Sequence, residues 1–165
     1  MIELRPANLT DGRDIYNMIV EIGSGENGYV NSGFDIDYAE FPRFLREKIE
    51  MAAGLNLPSS HVPQTTYWLV IDSKPVGIGK LRHYLNENLK KSGGHVGYTI
   101  RPSERGKGYG TIILRELIRE AKQMNIKDVL LTCDETNLPS RKVIEAIAGQ
   151  LQSIQSGKCF YLITT

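Results

Sequence analysis

The stretch that decides the fold of this chain reads Arg105-Gly106-Lys107-Gly108-Tyr109-Gly110. An apolar, strand-like run precedes it, and a helical pattern follows it, with apolar residues three and four positions apart. Alternating glycines let the backbone approach an anion closely and turn successive N–H groups toward it. The positive end of the following helix dipole adds to that attraction. The stretch therefore predicts a binding site for a phosphorylated ligand.

Two common phosphate-binding motifs do not fit this stretch. The dinucleotide fingerprint G-x-G-x-x-G fails from Gly106, where the spacing is G-x-G-x-G. It also fails from Gly108, because Ile113 stands where the third glycine belongs. The Walker motif G-x-x-x-x-G-K-S/T occurs nowhere in the chain. The pattern that does fit is Arg105-x-x-Gly108-x-Gly110.

That pattern closely resembles the signature of the GNAT superfamily of acyl-CoA N-acyltransferases, which begins with arginine or glutamine. On its N-terminal side, residues 95–102 (HVGYTIRP) resemble the fourth strand of that family. On its C-terminal side, Asn137-x-x-Ser140 resembles the second cofactor motif. The match is strongest over residues 94–150, about a third of the chain.

The resemblance implies that acetyl-CoA is the cofactor. The alternating glycines and the N–H groups between them would hold the pyrophosphate, while Lys107 adds positive charge. The fourth strand and Asn137 would bind the pantetheine arm, and a strand N–H would polarise the thioester carbonyl. Asn137 also suits a helix N-cap. The residues expected to bind the cofactor are Tyr98, Thr99, Ile100, Arg105, Gly106, Lys107, Gly108, Tyr109, Gly110, Thr111 and Asn137.

The family resemblance leaves the general acid open. Many peptide N-terminal acetyltransferases carry a tyrosine seven residues after the asparagine, and Ile144 stands there in this chain. Ser140, a water molecule, Tyr161 or Tyr98 would have to protonate the leaving thiolate. Unassisted departure is also tolerable, because the ordinary pKa of a thiol is about 8.5.

A general base is also needed, because an alkylamine with a pKa of about 10 must lose its proton before it attacks. His95 begins the fourth strand, where related enzymes often carry a glutamate, and histidine has a suitable pKa. His95 is therefore the predicted base, with Ser140 as the second catalytic candidate. A surface histidine without a catalytic role is the alternative, and His83 and Glu135 are weaker candidates.

The acceptor pocket is expected from the glycine-rich loop at residues 23–33 and the helix after it. Glu26, Tyr29, Asp35 and Asp37 are candidates to face the acceptor amine, or are solvated loop residues. A small-molecule amine and a peptide both remain open as acceptors.

Composition narrows the protein class. The chain has 165 residues with 41% hydrophobic and 24% charged residues, which predicts a single domain over residues 1–165. The net charge of +1 gives no field that favours nucleic acid or a membrane surface. There is no signal-peptide pattern and no long apolar run, so a cytoplasmic location is expected. Cys133 and Cys159 have no metal-binding spacing, so no metal is expected and both are interpreted as buried thiols.

The periodicity predicts an α+β fold in the order β-α-α-β-β-β-α-β-α-β-β. By resemblance this is the GNAT arrangement, a mixed, largely antiparallel sheet with helices on both faces and the fourth strand splayed from the fifth. The first helix is expected to be capped by Thr10 or Asp11, and the segment from Asn86 to Gly94 to be a polar loop. The C-terminal hairpin offers an edge at which a homodimer could form.

The sequence therefore predicts an N-acetyltransferase that moves an acetyl group directly from acetyl-CoA to a primary amine. Neither cysteine lies at an evident nucleophile position, which disfavours an acyl-enzyme. The alternative is a non-catalytic acyl-CoA-binding or sensory domain. A transferase of longer acyl or aminoacyl groups is a third interpretation.

Overall fold

The computed structural model describes residues 1–165 and contains seven strands and five helices. The strands are β1 (Ile2–Pro6), β2 (Gln64–Ile71), β3 (Lys74–Arg82), β4 (Val96–Ile100), β5 (Asp128–Asp134), β6 (Gln150–Gln155) and β7 (Lys158–Thr164). The helices are α1 (Arg13–Ile22), α2 (Phe41–Ala52), α3 (Glu87–Lys91), α4 (Tyr109–Gln123) and α5 (Leu138–Ala146). Short 3₁₀ turns occupy Tyr38–Glu40 and Pro102–Glu104.

The strands form two antiparallel sheets rather than one. Four strands follow the order β1-β2-β3-β4, and three follow β5-β7-β6. Between β4 and β5 there is only an isolated bridge, from Gly94 to Leu131. The predicted α+β class is confirmed, and the gap between these two strands is the feature that positions the site.

Helices cover both faces of the sheets. α4 packs its buried residues Ile113, Leu114 and Leu117 into one cluster with α5 and the inner faces of both sheets. α1 and α2 form a second cluster on the opposite face, around Trp68 and Phe41. Apolar residues at helical spacing therefore fill a core on each side.

The approach of α4 to β3 depends on a glycine. A Cβ added to Gly79 would lie 2.9 Å from a methyl carbon of Leu117, closer than side chains normally pack. A larger residue at Gly79 would force the Leu117 side chain, or α4 with it, to shift.

Two local expectations were wrong. The segment predicted as a polar loop contains α3, because the Asn86 side chain caps it by accepting a hydrogen bond from Leu89 N–H at 2.9 Å. α1 begins after Gly12, with no side-chain cap from Thr10 or Asp11. Asp11 instead accepts a 2.7 Å hydrogen bond from Trp68 Nε1 and pairs with Arg5. Its carboxylate therefore ties β1 and β2 to the start of α1.

The outer strand β6 is paired only with β7, and its Leu151 and Ile154 are exposed. This is the edge on which the homodimer prediction rests, and that prediction stays untested. The longest helix, α4, has 15 residues. No helix combines the length and apolarity that a bilayer crossing requires.

Candidate active site

A cavity of about 650 Å³ occupies the gap between β4 and β5. Its walls come from both strands, the loop before α4, the first turns of α4 and α5, and the loop before α2. Of the eleven residues predicted to bind the cofactor, ten line it: Tyr98, Thr99, Ile100, Arg105, Gly106, Gly108, Tyr109, Gly110, Thr111 and Asn137. The exception is Lys107. The structure therefore brings the two sequence motifs together on one cavity.

The glycine-rich stretch forms an open cradle at the start of α4. Gly106 and Gly108 have φ angles of 78° and 81°, a left-handed backbone that favours glycine. An added Cβ on either one would meet no atom within 4 Å, so the space above them is free. The backbone N–H groups of residues 107–111 donate to no acceptor within the protein. A row of free donors at a helix N-terminus is what a pyrophosphate requires.

The charged residues of the cradle are already engaged with carboxylates. Arg105 donates from Nε to the Ile100 carbonyl at 2.9 Å and pairs through Nη1 with Glu26 at 2.6 Å. Lys107 pairs with Glu104 at 2.7 Å. Hydrogen bonds from Lys107 and then Lys74 lower the pKa of Glu104 to about 2. Lys107 therefore contributes its backbone N–H to the cradle more directly than its ammonium group.

The second wall is the open edge of β4. Arg82 N–H donates to the His95 carbonyl at 2.7 Å, and Arg101 N–H donates to the Val76 carbonyl at 2.9 Å. Alternate residues of an antiparallel strand bond the same neighbour, so the backbone groups of Val96, Tyr98 and Ile100 point away from β3 toward the gap. An extended amide-containing chain such as pantetheine can hydrogen-bond along this edge.

Two hydroxyl groups face each other across the cavity. Tyr98 Oη lies 3.2 Å from Ser140 Oγ, which joins β4 to the first turn of α5. Burial raises the pKa of Tyr98, with Ser140 as its hydrogen-bond partner. Asn137 caps α5, because its Oδ1 accepts a hydrogen bond from Ser140 N–H at 3.3 Å. The cap holds the Ser140 hydroxyl beside Tyr98.

The structure separates the candidates for the general acid. Ile144 lies in the core at 1% exposure and has no polar atom to offer. Tyr161 is fully buried, donates to Glu145 at 2.7 Å and accepts from Arg141 at 3.0 Å, and does not line the cavity. Tyr98 and Ser140 do line it. They are the two protein hydroxyls from the predicted set that can reach a ligand there.

His95 has a structural position that sequence reasoning did not anticipate. It is 7% exposed and does not line the cavity. The imidazole Nδ1 of His95 accepts a hydrogen bond from Leu130 N–H at 2.9 Å. The backbone N–H of His95 donates to the Leu130 carbonyl at 2.8 Å. Nδ1 is thus occupied, Nε2 must carry the proton of the neutral ring, and burial lowers the pKa of the imidazole. His95 as the base stays a prediction that this geometry does not favour.

The expected acceptor residues divide into two groups. Glu26 and Tyr29 line the cavity, whereas Asp35 and Asp37 do not. The alternative bases His83 and Glu135 lie outside the cavity lining as well. Lys80 and Arg82 of β3 also line the cavity, and no sequence pattern indicates this. Their alternation along an ordinary strand looks the same whether they face solvent or a ligand.

Comparison with known proteins identifies the family of this chain. The acetyltransferase (GNAT) domain family matches residues 2–149. The chain belongs to the GNAT acetyltransferase family. This confirms the resemblance drawn from the glycine-rich stretch and extends it over the N-terminal half. Sequence comparison with curated proteins gives no match.

Solved structures of GNAT proteins share the fold at low sequence identity. RimL, a ribosomal L7/L12 alpha-N-protein acetyltransferase in complex with coenzyme A, superimposes with a TM-score of 0.72 at 15% identity, covering 99% of this chain and 93% of that one. The Campylobacter jejuni N-acetyltransferase PseH, in complex with acetyl coenzyme A, gives 0.65 at 13% identity, covering 100% and 99%. A putative acetyltransferase, yncA, from Salmonella typhimurium with acetyl-CoA gives 0.62 at 12% identity, covering 99% and 93%.

Proposed function

We propose that residues 1–165 act as one N-acetyltransferase domain that transfers an acetyl group directly from acetyl-CoA to a primary amine. The observation that carries this proposal is the row of unpaired N–H groups at residues 107–111, which opens onto the cavity between β4 and β5. The chain's family and its bound structural neighbours support the same cofactor.

The residues present fit acetyl-CoA. The left-handed Gly106 and Gly108 and the donors of residues 107–111 would hold the pyrophosphate. The open edge of β4, with Asn137 opposite, would hold the pantetheine arm. Acetyl-CoA would supply a thioester whose carbonyl carbon the acceptor amine attacks. The Tyr98 N–H points into the gap, where it can stabilise charge on a carbonyl oxygen.

Tyr98 and Ser140 are the proposed proton donors. The raised pKa of Tyr98 keeps its hydroxyl protonated at neutral pH, and the Ser140 hydroxyl can return a proton through the 3.2 Å contact. A donor matters less here than for an alkoxide, because a thiolate is a comparatively good leaving group. The pair replaces the tyrosine that the resemblance would place at Ile144.

Direct transfer is favoured over a covalent acyl-enzyme. Cys133 lines the cavity, but burial, with a smaller effect from Cys159, raises its pKa to about 11. Its sulfur is therefore a thiol at neutral pH, and the thiolate is the nucleophilic form. Cys159 is 0% exposed and does not line the cavity.

The acceptor is proposed as a small-molecule amine or a peptide. A cytoplasmic location and a homodimer formed through the β6 edge complete the proposal. The location is proposed from the sequence, and the homodimer is proposed from the exposed edge strand β6.

The direct test is release of free thiol from acetyl-CoA in the presence of a panel of amines. Amine-dependent thiol release, with a matching N-acetylated product by mass spectrometry, is the expected result. Binding of acetyl-CoA without release for any amine would favour the sensory alternative. Absence of acetyl-CoA binding would contradict the assignment of the cradle.

A further inference from the structure

The end of the cavity near β3 is positively charged. Lys80 and Arg82 of β3 and Lys158 of β7 all line it and are half-buried. None of the three forms an ion pair with a carboxylate within 4.0 Å. Three unpaired cations on one cavity wall give that end of the cavity a local positive potential, which attracts anions.

The contacts of Lys80 hold it without neutralising it. Its Nζ donates to the Val30 carbonyl at 2.5 Å and lies 4.2 Å from the centre of the Tyr29 ring. Thr66, opposite Lys80 in the ladder with β2, is 3% exposed, and its hydroxyl has no hydrogen-bond partner. Lys48 of α2 and Lys80 both line a second, smaller cavity. Lys48 and Lys80 are the two charged residues on the wall of that smaller cavity.

Arg82 and Lys158 are positioned in the same way, by neutral oxygens. Arg82 donates to the Gly93 and Gly94 carbonyls at 3.3 and 3.1 Å, and Lys158 donates to Ser92 Oγ at 2.9 Å. These contacts fix the side chains but leave their charges uncompensated.

The carboxylates on the cavity wall offset this charge only in part. Glu26 is paired with Arg105, and Glu104 with Lys74 and Lys107, all at the cradle end. Asp134 lies directly across the ladder from Lys158 but makes no ion pair with it. The cradle end therefore has its own counter-ions, while the β3 end has a net positive charge.

We propose that the acceptor carries an anionic group, a carboxylate or a phosphate, close to its primary amine, and that Lys80 and Arg82 bind that group. This inference rests on the proposed function and names the substrate class. It excludes polyamines and other polycations as preferred acceptors, because three cations would repel them. Of the loop carboxylates that were candidates to face the acceptor amine, Glu26 is paired with Arg105, and Asp35 and Asp37 do not line the cavity.

The protonation behaviour of Lys80 agrees with this site. Burial first, and then the charges of Lys48 and Arg82, lower the pKa of Lys80 to about 7. A bound anion would raise that pKa again, so anion binding takes up a proton above neutral pH. Affinity for the anionic acceptor should therefore fall as pH rises above about 7.

The test compares matched amines with and without the anionic group. The pairs are β-alanine with β-alaninamide and O-phosphoethanolamine with ethanolamine, and spermidine represents the polycations. Binding to the CoA-loaded protein is measured by isothermal titration, and transfer by thiol release. We expect the anionic member of at least one pair to bind and react at least about tenfold better, as a charge-assisted hydrogen bond predicts. The carboxylate and phosphate pairs identify which anion is preferred.

Variants locate the effect. Lys80→Met should remove most of the preference for the anionic amine, and Lys80→Arg should restore part of it. Lys127→Met, an exposed lysine without an ion pair, carries the same charge change and should leave the preference unaltered. Equal binding of both members of every pair, or a preference for spermidine, would overturn the inference. A fall in kcat for neutral amines in Lys80→Met, with the preference intact, would also overturn it and point to a base instead.

The two proposals fail separately. Binding of an anionic amine that depends on Lys80 but yields no thiol would refute the transferase and retain the anion site. Thiol release with equal use of neutral and anionic amines would retain the transferase and refute the anion site.

Discussion

The two ends of the cavity are built from different parts of the chain. At the α4 end, free backbone N–H groups of one continuous stretch, residues 107–111, form the binding surface. At the β3 end, side chains from β3, β7 and the loop before α2 form it, held by carbonyl and hydroxyl oxygens. Binding through backbone N–H groups requires glycines at certain positions, but it does not depend on the charges of nearby side chains. A side-chain surface can change its ligand by a single substitution without disturbing the fold.

The largest effect should come from adding a side chain to the cradle. Gly108→Ala places a Cβ into the open space above the N-cap of α4 and forces a left-handed φ of 81° on a residue that disfavours it. We expect affinity for acetyl-CoA to fall about 100-fold, because a cradle contact and the local backbone geometry are both lost. Isothermal titration measures this directly.

Gly157→Ala is the matched control for that variant. Gly157 has a φ of 76° and equally open surroundings, but it lies in the turn between β6 and β7. Both variants should therefore lose a similar amount of stability, about 1–2 kcal/mol, while only Gly108→Ala loses affinity. Equal affinities in the two variants would show that Gly108 is not part of the acetyl-CoA binding site.

The next effect concerns the hydroxyl pair between the two ends. Tyr98→Phe should lower kcat about tenfold with little change in the affinity for acetyl-CoA, since thiolate departure needs only modest assistance. Tyr161→Phe should instead lower the melting temperature and leave kcat unchanged, because its hydroxyl bridges Arg141 and Glu145 away from the cavity. A normal kcat in Tyr98→Phe would assign proton donation to Ser140 or water.

The contrast between the ends also explains what sequence could predict. Gly106, Gly108 and Gly110 form a local pattern that anion binding explains. The cradle and the fold around it can therefore be predicted from the sequence. Lys80 and Arg82 lie more than 20 residues from that motif on an ordinary strand, and only the fold brings them to the cavity. The strand position of His95 and the ordinary pKa of histidine both favour it as a base, but neither indicates burial or a backbone partner such as Leu130.

The pH dependence of stability tests whether Lys80, at the β3 end of the cavity, is desolvated. The lowered pKa of Lys80 means that its charged form is less favourable in the folded protein than in the unfolded chain. Between about pH 7 and 10.5 the unfolded chain binds the extra proton, so this cost is largest below pH 7 and shrinks as pH rises. Lys80→Met should therefore raise the melting temperature more at pH 6 than at pH 9. Lys127→Met should show no such pH trend, and an equal gain for both variants would contradict desolvation of Lys80.

The smallest effect lies where the acceptor loop meets the cradle. Glu26 pairs with Arg105 and places a negative charge at the cofactor end of the cavity, but its side chain is 56% exposed. Glu26→Gln should therefore tighten acetyl-CoA binding only about two- to threefold, as expected for an exposed pair. Glu47→Gln, which breaks the exposed pair with Arg43 on α2, is the control and should have no effect. Weaker binding in Glu26→Gln would mean that the pair supports the cradle rather than competing with the cofactor.

A ¹H–¹⁵N correlation spectrum of the protein titrated with acetyl-CoA would show directly which backbone amides the cofactor contacts. Large shifts are expected for the backbone amides of residues 107–111 and of Tyr98, with small shifts at Gly54 after α2, which does not line the cavity. Shifts confined to other parts of the chain, or a spectrum unchanged by saturating acetyl-CoA, would contradict the assignment of this cavity to the cofactor.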